Sequence, residues 1–383
     1  MSAPAARATS LPILVGLAVA NHVVLAGSRV AVSLDALSLG ASPATVGLLL
    51  ALFAVLPMIL AIPFGRMVDR IGVRRPMLLA SCGIAVAVLL PVAAPGLPAL
   101  FATACLMGVS FMVFQVSTQY VTGEVGTPGE RARNFSLLAL GLSTSSIVGP
   151  LLTGLVIDGV GFRAAFAVLA LAPLVPLFVL GTDRLALPRP HPEHERHATR
   201  SALDLLTHHE LKRVFLINAI TSAAWELHTL FVPLYGQSIG LSASAIGFVL
   251  AAFAAATFIV RLAMPLLARR FSEHRILTLA LFVGGSVYLL FPFARSTGTL
   301  MSLSFCLGLG MGASQPMVMA LLHHHAPAGR MGEATGVRSS LVNSMAVAVP
   351  LVFGAVGSTV GLAPVLWSVG VFLAGSGFLR RRA

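Results

Sequence analysis

Charged side chains are scarce in this chain: only 10% of its 383 residues are Asp, Glu, Lys or Arg, whereas 57% are hydrophobic. A soluble globular domain carries about 25% charged residues. This deficit excludes a water-soluble enzyme and a disordered protein. The hydrophobic residues also form long blocks, which predicts a polytopic helical membrane protein.

Motifs for metals, nucleotides and proteolysis are also missing. The three cysteines, Cys82, Cys105 and Cys306, lie in apolar blocks without metal-ligand spacing. The run from His323 to His325 points in three directions on a helix, so we expect no metal site and no cofactor. No Gly-x-x-x-x-Gly-Lys-Ser/Thr loop is present, which argues against ATP as the direct energy source. No intramembrane protease motif lies within an apolar block, so we expect no catalytic residue.

Twelve apolar segments are each close to the length that crosses a bilayer. Only helices fit, because backbone groups in lipid must be bonded within their own segment. The expected limits are 11–34, 43–64, 76–94, 97–121, 135–157, 162–181, 212–236, 243–267, 276–294, 298–322, 334–357 and 361–379.

The net charge of +12 is explained by membrane topology. The basic residues are scattered in short gaps, which argues against a nucleic-acid partner. With the N-terminus in the cytoplasm, 21 of the 25 basic residues fall on the cytoplasmic side. The positive-inside rule therefore predicts that both termini are cytoplasmic. The compact loops suggest a bacterial inner membrane. The first apolar block, which has no evident signal-peptide cleavage site, is interpreted as a transmembrane span.

The chain repeats itself at an offset of 200 residues. Gly, Gln and Pro coincide in this register, for example in the pairs Gly108 and Gly308, Gln115 and Gln315, and Pro150 and Pro350. Such a repeat predicts two six-helix halves in the same orientation. We place them at residues 1–181 and 212–383, with a cytoplasmic linker at 182–211.

A basic loop follows the second span. It reads Gly65-Arg66-Met67-Val68-Asp69-Arg70-Ile71-Gly72-Val73-Arg74-Arg75. Together with the twelve spans and the repeat, it resembles the signature loop of the major facilitator superfamily of secondary transporters. The resemblance implies an all-α membrane fold of twelve transmembrane helices in two parallel repeats. It also implies that Asp69 faces the start of span 11 when the cytoplasmic side closes. Gating roles are expected for Gly65, Asp69, Arg70, Gly72, Arg74 and Arg75; a solvated loop that only sets orientation is the alternative.

Span 5 contains Gly149, Pro150 and Gly154, with Ser145 and Thr153 nearby. This segment resembles the Gly-Pro motif of proton-coupled exporters in the superfamily, with Ser145 and Thr153 in place of two glycines. Two interpretations stay open: a packing groove with a kink, or an antiporter hallmark.

The end of span 4 supplies a further gating candidate and a departure from the family pattern. Glu124 and Arg131 are similar to an acid–base pair that the superfamily uses at gates. Many exporters carry an Arg within span 4, and this chain has none between Leu97 and Val121.

Polar residues within spans usually face a bundle interior, because ionisable groups are costly in lipid. The resemblance places spans 1, 4, 7 and 10 around a central cavity. The candidates for substrate or proton binding are Asn21, His22, Arg29, Asp35, Gln115, Gln119, Trp225, Glu226, His228 and Gln315. Glu226 is the strongest, because it lies deep in span 7 with no Lys or Arg within a turn of sequence. A desolvated carboxyl of this kind can load and release protons.

Structural alternatives stay open for several of these side chains. Gln115 and Gln315 are equally plausible as interhelical hydrogen-bond partners, and His22 and His228 can be satisfied by neighbouring helices. For Asp35 the alternative is a position in an outer loop. For Arg261 in span 8 the alternative is a structural role.

The sequence thus predicts a secondary active transporter that works by alternating access. We expect a monomeric, proton-coupled exporter of a small amphipathic or sugar-like solute. A proton symporter or facilitator for metabolite uptake is the alternative, and an intramembrane enzyme is the weakest hypothesis.

Overall fold

Residues 11–125, 130–182, 208–326 and 331–381, together with 185, 187, 204 and 205, are described by the structure, which is a computed structural model. Thirteen α-helices and no strand occur in these ranges. The helices are α1 Leu11–Ser38, α2 Pro43–Ile71, α3 Arg74–Ala93, α4 Leu97–Glu124, α5 Arg131–Val160, α6 Phe162–Leu169, α7 Leu174–Gly181, α8 His209–Ser238, α9 Ala243–Arg270, α10 Glu273–Leu290, α11 Thr297–His325, α12 Met331–Val360 and α13 Leu362–Arg381.

Eleven stretches of the described chain are long and apolar enough to cross a membrane, and the apolar part Leu362–Gly377 of the 20-residue helix α13 supplies a twelfth. Two short helices, α6 and α7, share one of these stretches, Phe162–Gly181. A turn at 170–173 separates them, because Pro173 has no N–H to continue the helical ladder. The arrangement confirms the predicted all-α fold of apolar spans.

The helices extend further than the apolar segments. The second span was expected at 43–64, but α2 continues to Ile71, so the prediction that residues 65–71 belong to a loop is wrong. Only Gly72, with a φ of 79°, and Val73 separate α2 from α3. Polar side chains mark the edge of the apolar segment, whereas the helical backbone bonds to itself and continues past that edge.

Two ends of the bundle are distinguished by their connections. The basic end is where α2 meets α3 and α9 meets α10. The far end holds the turns at Gly40 and Gly240, which follow α1 and α8 and both have a φ of 79°. The left-handed backbone at these two positions is strained for any residue with a Cβ, so glycine permits the tight reversal into the next helix.

The hydrophobic cores show how the halves meet. At the far end, Val30 and Leu34 of α1 pack in one core with Leu227 and Phe231 of α8. Toward the basic end, one core draws on residues 11–187 and another on residues 205–341, so each belongs to one half and its adjoining linker. Within the described part of the chain, the halves therefore share apolar packing at the far end and no core at the basic end.

Candidate functional site

An ion pair joins the two halves in the interior of the bundle. Arg29 Nη2 donates a hydrogen bond to Glu226 Oε2 over 2.7 Å. Arg29 lies on α1 and Glu226 on α8, and their side chains are 21% and 12% exposed. Helices of different halves thus supply opposite charges to one partly solvated contact.

The surroundings of Glu226 differ from the expectation of an isolated carboxyl. The sequence places no cation near Glu226, but Arg29, 197 residues away in the chain, provides one in space. Among the acidic residues on the described helices, only Glu226 lies more than two turns from both ends of its helix. On the described helices it is therefore the carboxylate placed deepest in a span, and its partner is a cation from the other half.

His22 lies two turns from Arg29 on the same face of α1. Its Nδ1 is 2.6 Å from Ser145 Oγ on α5. Its ring is tilted against Phe111 of α4, with ring centroids 5.4 Å apart. His22 therefore ties α1 to the Gly-Pro segment of α5 within the first half.

Arg261 of α9 forms a second polar link between the halves. Its Nη1 donates to Ser143 Oγ of α5 over 2.7 Å, and its Nη2 donates to Gln315 Oε1 of α11 over 2.8 Å. Among the residues that the structure describes, no carboxylate pairs with Arg261. The guanidinium is thus held by neutral dipoles and leaves a net positive charge at the interface.

The two glutamines predicted on one face of α4 do share a location. Gln115 and Gln119 border a narrow cleft against α1 and α5, whose walls include Ala18, Phe111 and Leu138. They are separated in this structure from the Arg29–Glu226 pair, which does not line that cleft.

Two of the predicted polar side chains bond inside a single half. Asn21 Nδ2 donates to Ser81 Oγ on α3 over 3.0 Å. His228 Nε2 is 3.0 Å from Ser304 Oγ on α11, and its ring stacks on Phe253 at 4.3 Å. Both are buried, so in this conformation they link neighbouring helices rather than line the space between the halves.

Trp225 and Asp35 also have local partners. The Trp225 ring packs edge-on against Phe253 with centroids 4.7 Å apart. Asp35 lies in the last turns of α1 and not in a loop. Ser38 Oγ donates to the Asp35 backbone oxygen over 2.8 Å and lies 3.5 Å from its carboxylate.

The Gly-Pro segment is a site of close helix packing. A Cβ on Gly149 would lie 2.7 Å from the Val23 carbonyl oxygen of α1. A Cβ on Gly154 would overlap the Ala243 carbonyl oxygen of α9, and the backbone oxygen of Pro150 lies against Gly247. The small residues therefore let α5 press against α1 on one side and against α9 of the other half on the other.

Asp158 closes this contact at the far end. Its Oδ1 accepts a hydrogen bond from the Ala243 N–H over 3.0 Å, and its Oδ2 accepts one from the Ser244 N–H over 2.8 Å. The next N–H of α9, from Ala245, is bonded by its own N-cap Ser242. The open N–H groups at the start of α9 are thus satisfied partly by a carboxylate from the opposite half.

Sequence reasoning missed Asp158, although a signal was present. A carboxylate in the last turn of a helix faces the negative end of its own macrodipole, which is unfavourable. Such a residue needs a partner elsewhere, and the free N-terminus of a neighbouring span is a suitable one. The repeat does not reveal it, because the matching position is Ser358 and the matching helix start is Pro43, which has no N–H.

The signature segment is described only in part. Gly72 forms the turn after α2, Arg75 is exposed, and Arg74 donates a hydrogen bond to the Leu180 carbonyl oxygen at the end of α7. Glu124 is exposed at the end of α4. The side-chain surroundings of Gly65, Asp69, Arg70 and Arg131 lie outside the described residues, so their gating roles stay predictions.

Metal binding finds no support in the described part of the chain, where no group of three His, Cys, Asp or Glu side chains converges.

Two parallel helical halves that meet at paired charges have the architecture of a membrane transporter of the alternating-access class. The family model described as Major Facilitator Superfamily matches residues 13–350, and the chain belongs to that superfamily of secondary transporters. This membership confirms the resemblance drawn from the loop after α2.

Relatives and solved structures support the same assignment. The chain is 28% identical over 345 residues to "Tetracycline resistance protein, class G" of Vibrio anguillarum, covering 86% of this chain and 84% of the relative. It is 27% identical over 316 residues to the class D protein of Salmonella ordonez, covering 80% and 78%. A crystal structure of a POT family transporter in complex with a thioalcohol-conjugated peptide superposes with a TM-score of 0.78 at 12% identity, covering 96% of this chain and 94% of that one. The structural likeness shows the fold alone.

Proposed function

We propose that this chain is a proton-coupled exporter of a drug-like amphipathic solute, and that the Arg29–Glu226 ion pair is its coupling element. The single observation that carries the proposal is this cross-half pair at 2.7 Å. The relatives named as tetracycline resistance proteins support a drug-like substrate.

Competition for one carboxylate explains the coupling. A proton on Glu226 removes the charge that Arg29 binds, and a cationic group of the solute can replace Arg29 at the same carboxylate. An anionic or enol oxygen of the solute can in turn replace Glu226 at Arg29. Because the proton and the cationic group use one site, binding of one favours release of the other, which is the requirement for exchange.

Opening and closing of the halves supply the alternation. In this structure the far end is held by Asp158 on the start of α9 and by the small-residue contact of Gly154. Export requires these contacts to separate while the basic end closes, and an ion pair that bridges the halves can link that movement to protonation.

The orientation and unit of function follow from the same residues. We place the basic end in the cytoplasm of a bacterial inner membrane, with both termini on that side, in accordance with the positive-inside rule. All groups in the proposal belong to one chain, which supports a monomer as the functional unit. Its halves are residues 1–181 and 212–383, joined by the linker 182–211.

Glu226→Gln tests the proposal. A strain that lacks its own exporters is transformed with wild type or variant and screened against drugs that include tetracycline and against toxic sugar analogues. Everted membrane vesicles then report whether addition of the protective drug dissipates a preformed proton gradient. We expect protection and drug-driven proton flux for wild type, and loss of both for Glu226→Gln at equal membrane abundance.

Glu273→Gln is the matched control, because it makes the same chemical change at an exposed position at the start of α10. It should behave as wild type. Full protection and proton flux in Glu226→Gln would contradict the coupling role, whereas drug accumulation into the cell would favour the symport alternative.

A further inference from the structure

A large lateral groove opens in the second half, away from the Arg29–Glu226 pair. It has a volume of about 1500 Å³ and lies among α8, α9, α10 and α11. We define it by six of its wall residues, Ile217, Leu279, Phe282, Cys306, Leu309 and Ala313. Leu279 is 65% exposed, so the groove communicates with the outer surface of the bundle.

The rim of the lateral groove is basic at one end only. Arg213, His274, Arg275 and His325 line it at the basic end, together with the single acid Glu210. Glu210 lies 3.8 Å from Arg213, which leaves Arg275 without a carboxylate partner among the described residues. The groove therefore combines apolar walls at the depth of acyl chains with excess positive charge at the depth of headgroups.

The first half shows how a basic side chain at the start of α3 is neutralised within the protein. The offset of 200 residues pairs Arg74 with His274 and Arg75 with Arg275. In the first half, α7 packs beside α3 and α1, and its terminal carbonyl at Leu180 accepts a hydrogen bond from Arg74. A helix C-terminus carries partial negative charge, so that basic side chain meets a negative partner within the protein.

The counterpart of α7 in the second half is the C-terminal part of α13, residues 374–381 in the offset of 200. α13 runs unbroken from Leu362 to Arg381 and packs mainly against α10, and its Ser376 contributes to the wall of the groove. The space between α13 and α8 is open in this arrangement, and Arg275 lies on its rim.

We propose that the lateral groove binds an anionic phospholipid. Its acyl chains would cover the apolar walls, and its phosphate would bind beside Arg275 at the basic rim. A zwitterionic lipid of the same chain length can cover the walls, but its added cation opposes the charge of the rim.

The test compares lipids with identical chains. Delipidated protein in detergent is mixed with phosphatidylglycerol or phosphatidylcholine, and retained lipid is counted by native mass spectrometry. We expect wild type to retain phosphatidylglycerol at least several-fold better. Arg213→Gln combined with Arg275→Gln should lose this preference, whereas Arg133→Gln, an exposed basic residue of the first half, should keep it.

A second pair of variants tests the location. Cys306→Trp narrows the groove, whereas Cys82→Trp adds the same bulk to an exposed position on α3. Phosphatidylglycerol retention should fall for Cys306→Trp only, with both proteins monodisperse. Equal retention of the two lipids by wild type, unchanged retention in Cys306→Trp, or displacement of the lipid by an exported drug would overturn the assignment.

Discussion

Arg29 and Glu226 each reduce the cost of holding the other out of water. An unpaired charge in a span is expensive, and loss of one partner from a buried pair costs about 3–5 kcal/mol. Here both side chains keep some exposure, so we expect the lower part of that range. A contact of this strength constrains the two halves, yet one proton can weaken it.

Exchange of the two charges tests the pairing itself. Arg29→Glu and Glu226→Arg alone place like charges opposite each other, and each should lower the unfolding temperature in detergent. The double exchange restores attraction at the same place and should recover most of that loss. A double variant no more stable than the worse single variant would show that the two side chains do not interact in the folded protein.

The sequence could identify polar residues in spans but not their partners. Asn21 and His22 are neighbours in the chain, yet Asn21 bonds Ser81 of α3 and His22 bonds Ser145 of α5. One residue turns a side chain by about 100° on a helix, so the partner depends on which neighbouring helix carries a hydroxyl at that level. Pairing across 197 residues, as for Arg29 and Glu226, depends on the packing of whole halves.

Helix α5 is one of the elements through which the two halves meet closely. Its glycines remove side chains where α1 and α9 approach, and Asp158 at its end bonds the start of α9. Hydropathy predicted α5, and the motif predicted close packing. The extra turns at its ends were not predicted, because polar residues end an apolar segment without ending a helix.

One methyl group tests this contact. Gly154→Ala places a Cβ against the Ala243 carbonyl oxygen, so α5 and α9 must separate and the closed far end loses stability. We expect drug export in everted vesicles to fall several-fold. Gly159→Ala is the control on the same helix, because nothing lies within 4 Å of the added carbon. Equal export by the two variants would contradict a need for close packing at Gly154.

On the scale of the whole molecule, the halves share cores at the far end and separate cores toward the basic end of the described chain. The repeat in the sequence predicted two parallel halves, which the family membership supports. It could not predict which end is closed, because both conformations use the same spans and differ by a small balance of contacts.

Asp158 should contribute to that balance. Asp158→Asn removes the charge and one of the two acceptors at the start of α9, and hydrogen bonds to charged groups contribute about 1.5–3 kcal/mol. Since Asp158 is exposed and about 1.4 kcal/mol corresponds to a tenfold change, we expect the ratio of open to closed molecules at the far end to rise by up to roughly tenfold. Spin labels at Ser38 and Ser238, in a variant without native cysteines, would report it as a longer distance. An unchanged distance distribution would show that Asp158 does not help to hold the far end closed.

Proton release on drug binding tests the central claim most directly. Purified protein in weakly buffered detergent is mixed with a drug that it exports, and a pH-sensitive dye records the protons released. We predict release by wild type at a pH where part of the Glu226 population is protonated, and none by Glu226→Gln that still binds the drug. Equal release by the two proteins, or drug binding to wild type without release at any pH, would contradict the proposal that solute and proton compete for this carboxylate.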